Sequence, residues 1–426
     1  LALFSFLIAH HFPHRSRSAA LARALMALFT GIAVLAKGPV GLLLPLLVVA
    51  VFLTLSRGWS RWRHLGDILA MATLWLGVVL PWYYAAAQAN GEAFLGGFLA
   101  FSNVQRFTSV LYAHPGPPWF YLPWLLLLLL PWSIYLPVAL ARMGRFNPRD
   151  WRLLMRACQS VEPLTLFLVI WLVVVVGFFS AAATKLPGYI LPAIPAGSLL
   201  VALGLRPYNA LPAALGGLRL SGWFEVFLLA LLSLAAAIAP RWAASDPAHP
   251  QFASALATSG LPNLLSALLA LMAFALVGVL LGWPQRARWL PLPSLAGFLA
   301  ILGLVVPPLA SLIDRERQLP LRQLAAAAHT LARPDEPLWV VGTKRYSTVF
   351  YAGETAAFVA DPQGIRDRRR DDPRSLGLGP STRTVRLFGD RSDLEALRLP
   401  VVQIQRLERR GQQELWRVPI NAFDPR

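Results

Sequence analysis

Apolar runs of about 20 residues, the length a helix needs to cross a hydrocarbon layer ~30 Å thick, recur along the first three quarters of this 426-residue chain. They lie near 19–36, 39–55, 67–87, 117–141, 162–183, 187–205, 222–240, 263–283 and 289–313, with 1–10 as the tail of another. Inside hydrocarbon every backbone polar group needs a partner within its own segment, so these runs are expected to be helices. Composition agrees: 56% of residues are apolar and 14% charged, where soluble domains hold ~25% charged residues. Disorder and nucleic-acid binding are excluded on that ground. The net charge of +18 sits largely in short loops between runs, where a positive-inside bias accounts for it.

Nine crossings alternate the side of every loop. One set of loops carries Arg15, Arg17 and Arg23, then Arg57, Arg61 and Arg63, then Arg142, Arg145, Arg149, Arg152 and Arg156, then Arg206 and Arg219, and last Arg286 and Arg288. That set is assigned to the cytoplasm. The other set, with Lys37, the segment 88–116, Lys185, the stretch 241–262 and the C-terminal tail, then lies outside it. Residues 1–313 hold six acidic and nineteen basic residues and 314–426 hold fifteen and twenty. The expected organisation is therefore a multi-span membrane domain over 1–313 and a small extracytoplasmic α/β domain over 314–426. The chain opens with Leu1 inside an apolar run and is expected to be a fragment whose beginning is missing.

In the tail, Leu321–Leu331 reads as a helix, and Leu338–Val341, Ser347–Tyr351 and Ala356–Val359 as short strands. Arg366–Arg374 reads as a solvated loop, and Val401–Gln405 and Glu414–Val418 as strands closing a sheet. A single cysteine, Cys158, excludes a disulfide framework within one chain. Neither a Gly-rich phosphate loop nor an HExxH or GxSxG motif is present.

The chain has three lysines and 36 arginines. Two of the lysines, Lys37 and Lys185, fall in turns between apolar runs on the same outer side, in the related contexts Ala36-Lys37-Gly38-Pro39 and Thr184-Lys185-Leu186-Pro187. A charge so placed is costly unless an anion is near, although a lysine can also snorkel to headgroup phosphates. The prolines keep each turn tight and leave amides at the start of the next helix, a terminus that suits an anion. Two ammonium groups at one rim could hold the phosphate of a lipid whose tail remains in the bilayer. Arg106 is the one arginine between Arg63 and Arg142 and lies on the outer side against the charge bias, which suggests an anionic partner. An interfacial helix with Phe94, Phe98, Phe101 and Phe107 on the headgroups explains it equally. His114, alone in a Pro-rich loop, reads as a hydrogen-bonding residue. Trp119, Tyr121, Trp124 and Trp132 fit an aromatic belt and are compatible with a sugar platform. Glu92 and Asp246 read as ordinary loop carboxylates.

These strings carry a resemblance. Ala36-Lys37-Gly38-Pro39-Val40-Gly41, then Asn103-Val104-Gln105-Arg106-Phe107 with His114 and Trp119-Phe120-Tyr121, then Pro131-Trp132, then Lys185-Leu186-Pro187-Gly188-Tyr189-Ile190-Leu191-Pro192 resemble the bacterial dolichyl-phosphate-mannose-protein mannosyltransferase-like family. The 4-amino-4-deoxy-L-arabinose lipid A transferases are a branch of it. The resemblance spans 19–205 in family order. It implies an all-α polytopic bundle of GT-C type that moves a sugar from a polyprenyl-phosphate carrier to lipid A, another glycolipid or a protein hydroxyl at the outer face of the cytoplasmic membrane. It places Lys37, Arg106, Lys185 and Tyr189 on the donor phosphate and makes Asn103, His114, Trp119 and Tyr121 candidate substrate contacts. The family's key acidic residue lies in an earlier outer loop, upstream of Leu1, and neither Glu92 nor Asp246 matches it. The fragment itself is therefore expected to be inactive. Where the lipid A branch has a histidine preceded by an acid, this chain has Ser102-Asn103, which favours a general glycosyltransferase of the family. The cofactor is left open, a divalent metal included. The rival reading is a membrane transporter or lipid flippase, which would put ionisable residues along a path through mid-membrane. Spans 67–87, 162–183 and 263–283 lack interior charge, and Glu225 reads as lying near a cytoplasmic end.

Overall fold

A computed structural model of the chain describes residues 1–91, 108–109, 116–141, 162–205, 212–243, 252–283, 285–342 and 346–423. Two compact units divide it, one made of Leu1–Phe227 with Phe274–Ser294 and the other of Leu228–Ala273 with Leu295–Arg426.

The first unit begins with α1 (Ala2–His11), α2 (Arg17–Lys37), α3 (Val40–Leu55) and α4 (Leu65–Asn90). It continues through α5 (Tyr121–Leu128), α6 (Leu136–Ala141), α7 (Pro163–Ala181) and α8 (Ile194–Gly204). α9 (Pro212–Ala243) and α11 (Leu261–Leu281) pass from one unit into the other, and α10 (Phe252–Thr258) lies in the second. Buried rings join α1, α3 and α7: Phe6, Phe52 and Phe167 lie with centroids 5.2–5.9 Å apart, within the range that favours aromatic pairs. In α4 only Val79 is buried, as in a helix whose apolar side chains face lipid.

The chain is a multi-pass membrane protein. Among the described residues seven helices are long and apolar enough to cross a membrane, or eight if one bent pair counts as a span. Two expected crossings differ. The run at 39–55 forms α3, which at 16 residues is shorter than a usual span. The run at 117–141 is broken, with a 110° bend between Tyr121–Leu128 and Trp132–Ala141. Pro131 stands at that break, and a proline removes the amide that would continue the ladder. Loop ends meet as the alternation requires. Asp67, in the first turn of α4, lies 2.6 Å from His14 and 3.5 Å from Arg23, and Arg61 donates to the Phe12 carbonyl.

Helical backbone runs from Ala287, in the first unit, to Thr330, in the second, through α12 (Pro291–Leu304), α13 (Val306–Ile313), a π-helical turn at Asp314–Gln318 and α14 (Leu319–Thr330). Asp314 thus marks a change of composition inside a continuous helix. Beyond it, α15 (Tyr346–Ala352), α16 (Pro362–Asp371) and α17 (Arg391–Ala396) flank a five-stranded sheet. Its strands are β1 (Leu338–Val341), β2 (Ala356–Val359), β3 (Thr384–Asp390), β4 (Gln405–Arg410) and β5 (Gln413–Pro419) in the order β2-β1-β3-β5-β4. β1 is parallel to β2 and β3, and β5 is antiparallel to β3 and β4. Alternation sends Trp339, Val341, Leu387 and Trp416 to one face. Leu338, Val340, Phe388 and Leu415 go to the other, against Leu321, Leu324 and Ala328 of α14.

Three elements of the tail depart from the expectation. Ser347–Tyr351 is part of helix α15, because Thr348 and Ala352, four apart, are its buried positions; burial of an i, i+4 pair overrides the β-branched composition. Arg366–Arg374 is largely helix α16, started by Asp361, whose carboxylate accepts from Gly364 N at 2.7 Å, and anchored by buried Ile365. Val401–Gln403 is a 3-10 turn before β4. The central strand β3 was not expected at all.

Candidate functional site

The turn at Lys37 is set by two glycines. Gly38 has φ 75° and ψ −160°, a region open essentially to glycine. A Cβ on Gly41 would stand 2.4 Å from the carbonyl carbon and oxygen of Ala33, so α2 and α3 meet backbone to backbone as small residues allow. The hairpin leaves Lys37 exposed at its tip.

The second turn, Ala182–Leu186, joins α7 to a 3-10 segment at Pro187–Ala193. Lys185 is 5% exposed, and its ammonium donates to the carbonyls of Ser180 at 2.8 Å and Ala182 at 2.7 Å. A cation on the last carbonyls of a helix opposes the negative end of its dipole. Burial lowers the Lys185 pKa. Of its three N–H donors, two are engaged. Gly116 lies against its stem, with room for a Cβ only 2.9 Å from Lys185 Cδ. Thr184 Oγ1 donates to the Ser109 carbonyl at 2.8 Å, tying the turn to the preceding loop.

The two turns meet. Lys37 Nζ stands 5.4 Å from the ring centroid of Tyr189, and Lys185 Nζ 5.9 Å from that of Tyr121, both within cation–π range. Phe179 links the two tyrosines, 5.4 Å from Tyr189 and 6.2 Å from Tyr121. Tyr121 Oη accepts from Leu186 N at 3.2 Å, which fixes the start of the broken span to the second turn. The result is one aromatic rim carrying two ammonium groups, and among the described residues neither is paired with a carboxylate. The amides of Gly38, Gly41, Leu186 and Tyr189 already have acceptors, so the positive character of the rim comes from side chains.

Of the sequence candidates, Lys37, Lys185, Tyr189 and Tyr121 are brought together. Trp119 is 62% exposed and has no part in the ring stack among the described residues. Arg106, Asn103 and His114, and likewise Glu92 and Asp246, lie outside the described residues. Phe179 was missed; its signal, an aromatic two turns before the lysine turn, is not specific. Also missed was the setting of Glu225. Its carboxyl is fully buried in α9 and accepts hydrogen bonds from Tyr135 and Ser294. Among the described residues no three His, Cys, Asp or Glu side chains cluster as a metal site would require.

Solved structures share this arrangement of helices. The crystal structure of ArnT from Cupriavidus metallidurans bound to undecaprenyl phosphate superposes with a TM-score of 0.69, covering 100% of this chain and 74% of that one at 21% identity. The fold is of the GT-C polytopic membrane type. The apo form of the same ArnT matches equally, at 0.69 and 19% identity. In sequence, the chain is 31% identical over 268 residues to the undecaprenyl phosphate-alpha-4-amino-4-deoxy-L-arabinose arabinosyl transferase of Enterobacter sp. strain 638, a match covering 62% of this chain and 44% of that protein. It is 35% identical over 223 residues to the enzyme of the same name from Pseudomonas paraeruginosa, covering 52% and 37%. The match thus spans less than half the length of these relatives. No family model matches the chain. The resemblance read from the Lys37 and Lys185 strings is borne out by these relatives.

Proposed function

We propose that this chain carries the donor-binding rim of a GT-C glycosyltransferase that takes a sugar from a polyprenyl-phosphate carrier, with a lipid A-like glycolipid or a protein hydroxyl as acceptor. The observation that carries the reading is the 5.4 Å approach of Lys37 to the Tyr189 ring, which makes one cationic rim of two distant turns. In such a transfer the bond between the anomeric carbon and the phosphate oxygen breaks as the acceptor oxygen bonds that carbon. The carrier phosphate leaves with one more negative charge, and the acceptor proton passes to a base. Lys37 holds the developing phosphate charge, with Tyr189 beside it as hydrogen-bond donor. Lys185 keeps its third N–H for the same anion while its other two fix the turn. Arg106 is assigned to the phosphate, and Asn103, His114, Trp119 and Tyr121 to the sugar or acceptor, by their places in the shared strings. The base is assigned to a carboxylate outside the described rim.

The rim is placed at the outer face of the cytoplasmic membrane, with 314–426 as an extracytoplasmic domain. The loop arginines support that placement. A phosphatase reporter fused after Arg426 is expected to be active, and an inactive one inverts the assignment. Donor binding is tested by adding undecaprenyl phosphate to the chain in detergent micelles. A rise in Tm that Lys37→Met removes is expected; an equal rise in the variant takes Lys37 out of the site.

A further inference from the structure

Helix α15 presents a face that the described residues leave uncovered. Tyr346 is 70% and Phe350 80% exposed, and they lie four apart on one side of the helix, opposite Thr348 and Ala352, which are buried as α15 packs on α14. Two large aromatics bared side by side on a domain of this size call for an apolar surface to receive them.

The second unit itself shows which surface. The helix running from Ala287 to Thr330 is apolar as far as Ile313, and Leu295, Leu299, Leu302, Val306 and Ile313 are exposed along it, as the lipid-facing side of a span would be. α14 continues that helix out of the apolar stretch, and contacts fix the direction of α15 against it. Arg322, near the start of α14, has its guanidinium 5.9 Å from the Tyr351 ring. Arg386 bridges Ala328, near the end of α14, to Glu354. From Tyr351 to Glu354 the chain therefore moves away from the span, and from Tyr351 back to Tyr346 it moves toward it. The strands agree: β1 returns after α14, β2 is parallel to it, and the Tyr346 ring lies 5.1 Å from that of Phe358, near the end of β2.

Arg322 lies ~13 Å beyond Ile313 at a helical rise of ~1.5 Å per residue, and Tyr346 ~7 Å back from Tyr351. That leaves Tyr346 roughly 6 Å above the end of the apolar stretch. A headgroup layer is about 5–7 Å deep on each side of the hydrocarbon. Aromatic side chains favour this depth.

We infer that Tyr346, at the end of α15 nearest the span, rests in the headgroup layer of the leaflet from which the Ala287–Thr330 helix emerges, with Phe350 one turn above it, so that the domain is held down on the lipid surface at a second point. This contact is independent of the sugar-transfer reading, because it rests only on that helix crossing the membrane. It limits how far the domain can tilt from the bilayer.

The test places a nitroxide label at Tyr346→Cys and, separately, at Val402→Cys, a 99% exposed position, in the full chain carrying Cys158→Ser. The protein is reconstituted in phosphatidylethanolamine–phosphatidylglycerol vesicles. Collision with oxygen, which partitions into lipid, is compared with collision with a water-soluble nickel chelate. The ratio of oxygen to nickel collisions is expected to be several-fold higher at 346 than at 402. Equal ratios would show a face open to water and overturn the inference. Low collision with both reagents at 346 would show a protein covering and overturn it as well. Because Tyr346 is exposed, its replacement leaves the core of the domain intact.

Discussion

Lys37 holds its ammonium 5.4 Å from the ring centroid of Tyr189, although the two residues belong to turns separated by more than half the first unit. The pair separates two contributions that a single variant would merge. Lys37→Met keeps the length of the stem and removes the charge. Hydrogen bonds to charged groups contribute about 1.5–3 kcal/mol, so binding of undecaprenyl phosphate is expected to weaken about 10- to 100-fold. Tyr189→Phe keeps the ring under the ammonium and removes only the hydroxyl, for an expected loss of about tenfold or less. Equilibrium binding in micelles reads both. A larger loss in Tyr189→Phe than in Lys37→Met would reverse the assigned roles.

Lys185 has a different environment and predicts a different pattern. With two carbonyls on its ammonium and 5% exposure, it orders the end of α7 and the stack of Tyr121, Phe179 and Tyr189. Lys185→Ala is expected to abolish sugar transfer in the protein that carries this chain while the bundle still folds. The lost charge-assisted bonds cost about 1.5–3 kcal/mol each, read as a lower Tm. Lys185→Arg keeps the charge and should recover part of the Tm. Its planar fork fits a single-point ammonium site poorly, and Gly116 leaves it little room. Wild-type transfer in Lys185→Ala would remove the residue from the site.

Much of the bundle could be read in advance because each span is a local property. Apolar runs and loop arginines located α2, α4, α7 and α11 within a few residues. The site was legible as strings around Lys37 and Lys185, but their meeting was not, since it depends on Tyr189 and Phe179 being carried to the first hairpin by the packing of α7 against α3. Glu225 gave no sequence signal. Its partners Tyr135 and Ser294 lie 90 and 69 residues away, and only the fold brings their hydroxyls to it. In the tail, Ser347–Tyr351 misled because five residues are too few to separate a period of 2 from one of 3.6. Asp361-Pro362 before a charged run was a helix start that the charge obscured.

The backbone contact at Gly41 yields a prediction with an internal control. A methyl there would fall 2.4 Å from the Ala33 carbonyl, and no rotamer relieves a clash with backbone. Gly41→Ala is expected to push α2 and α3 apart and lower stability by about 1–3 kcal/mol, as overpacking does. Donor binding should fall with it, because Lys37 sits at the tip of the hairpin. Gly77→Ala, where nothing lies within 4 Å of the added carbon, should be neutral or slightly stabilising. Equal melting temperatures for the two variants would mean that the hairpin is looser than described.

The second unit should lose stability in acid through Glu336. This carboxylate is 5% exposed and accepts from Arg417 Nε at 2.6 Å and Nη2 at 3.0 Å, from Thr384 Oγ1 at 2.7 Å and from Arg333 N at 3.2 Å. Burial by itself would raise its pKa, but the hydrogen bonds and the Arg417 charge outweigh burial and hold it below the usual value. A depressed pKa in the folded state means that the unfolded chain takes up the proton first. The contribution is therefore complete above the unfolded carboxylate pKa, ~4.3, and is lost as pH falls through the folded value. Hydrogen exchange of the β3 and β5 amides, followed by mass spectrometry from pH 7 downward after correction for intrinsic rates, is expected to stay level to about pH 5 and then lose protection. Glu336→Gln should remove that part of the acid dependence. It also strands the Arg417 guanidinium, which is 7% exposed, so protection at neutral pH should fall by about 3–5 kcal/mol, the cost of breaking a buried pair from one side. An unchanged acid limb in Glu336→Gln would assign the pH dependence to another carboxylate.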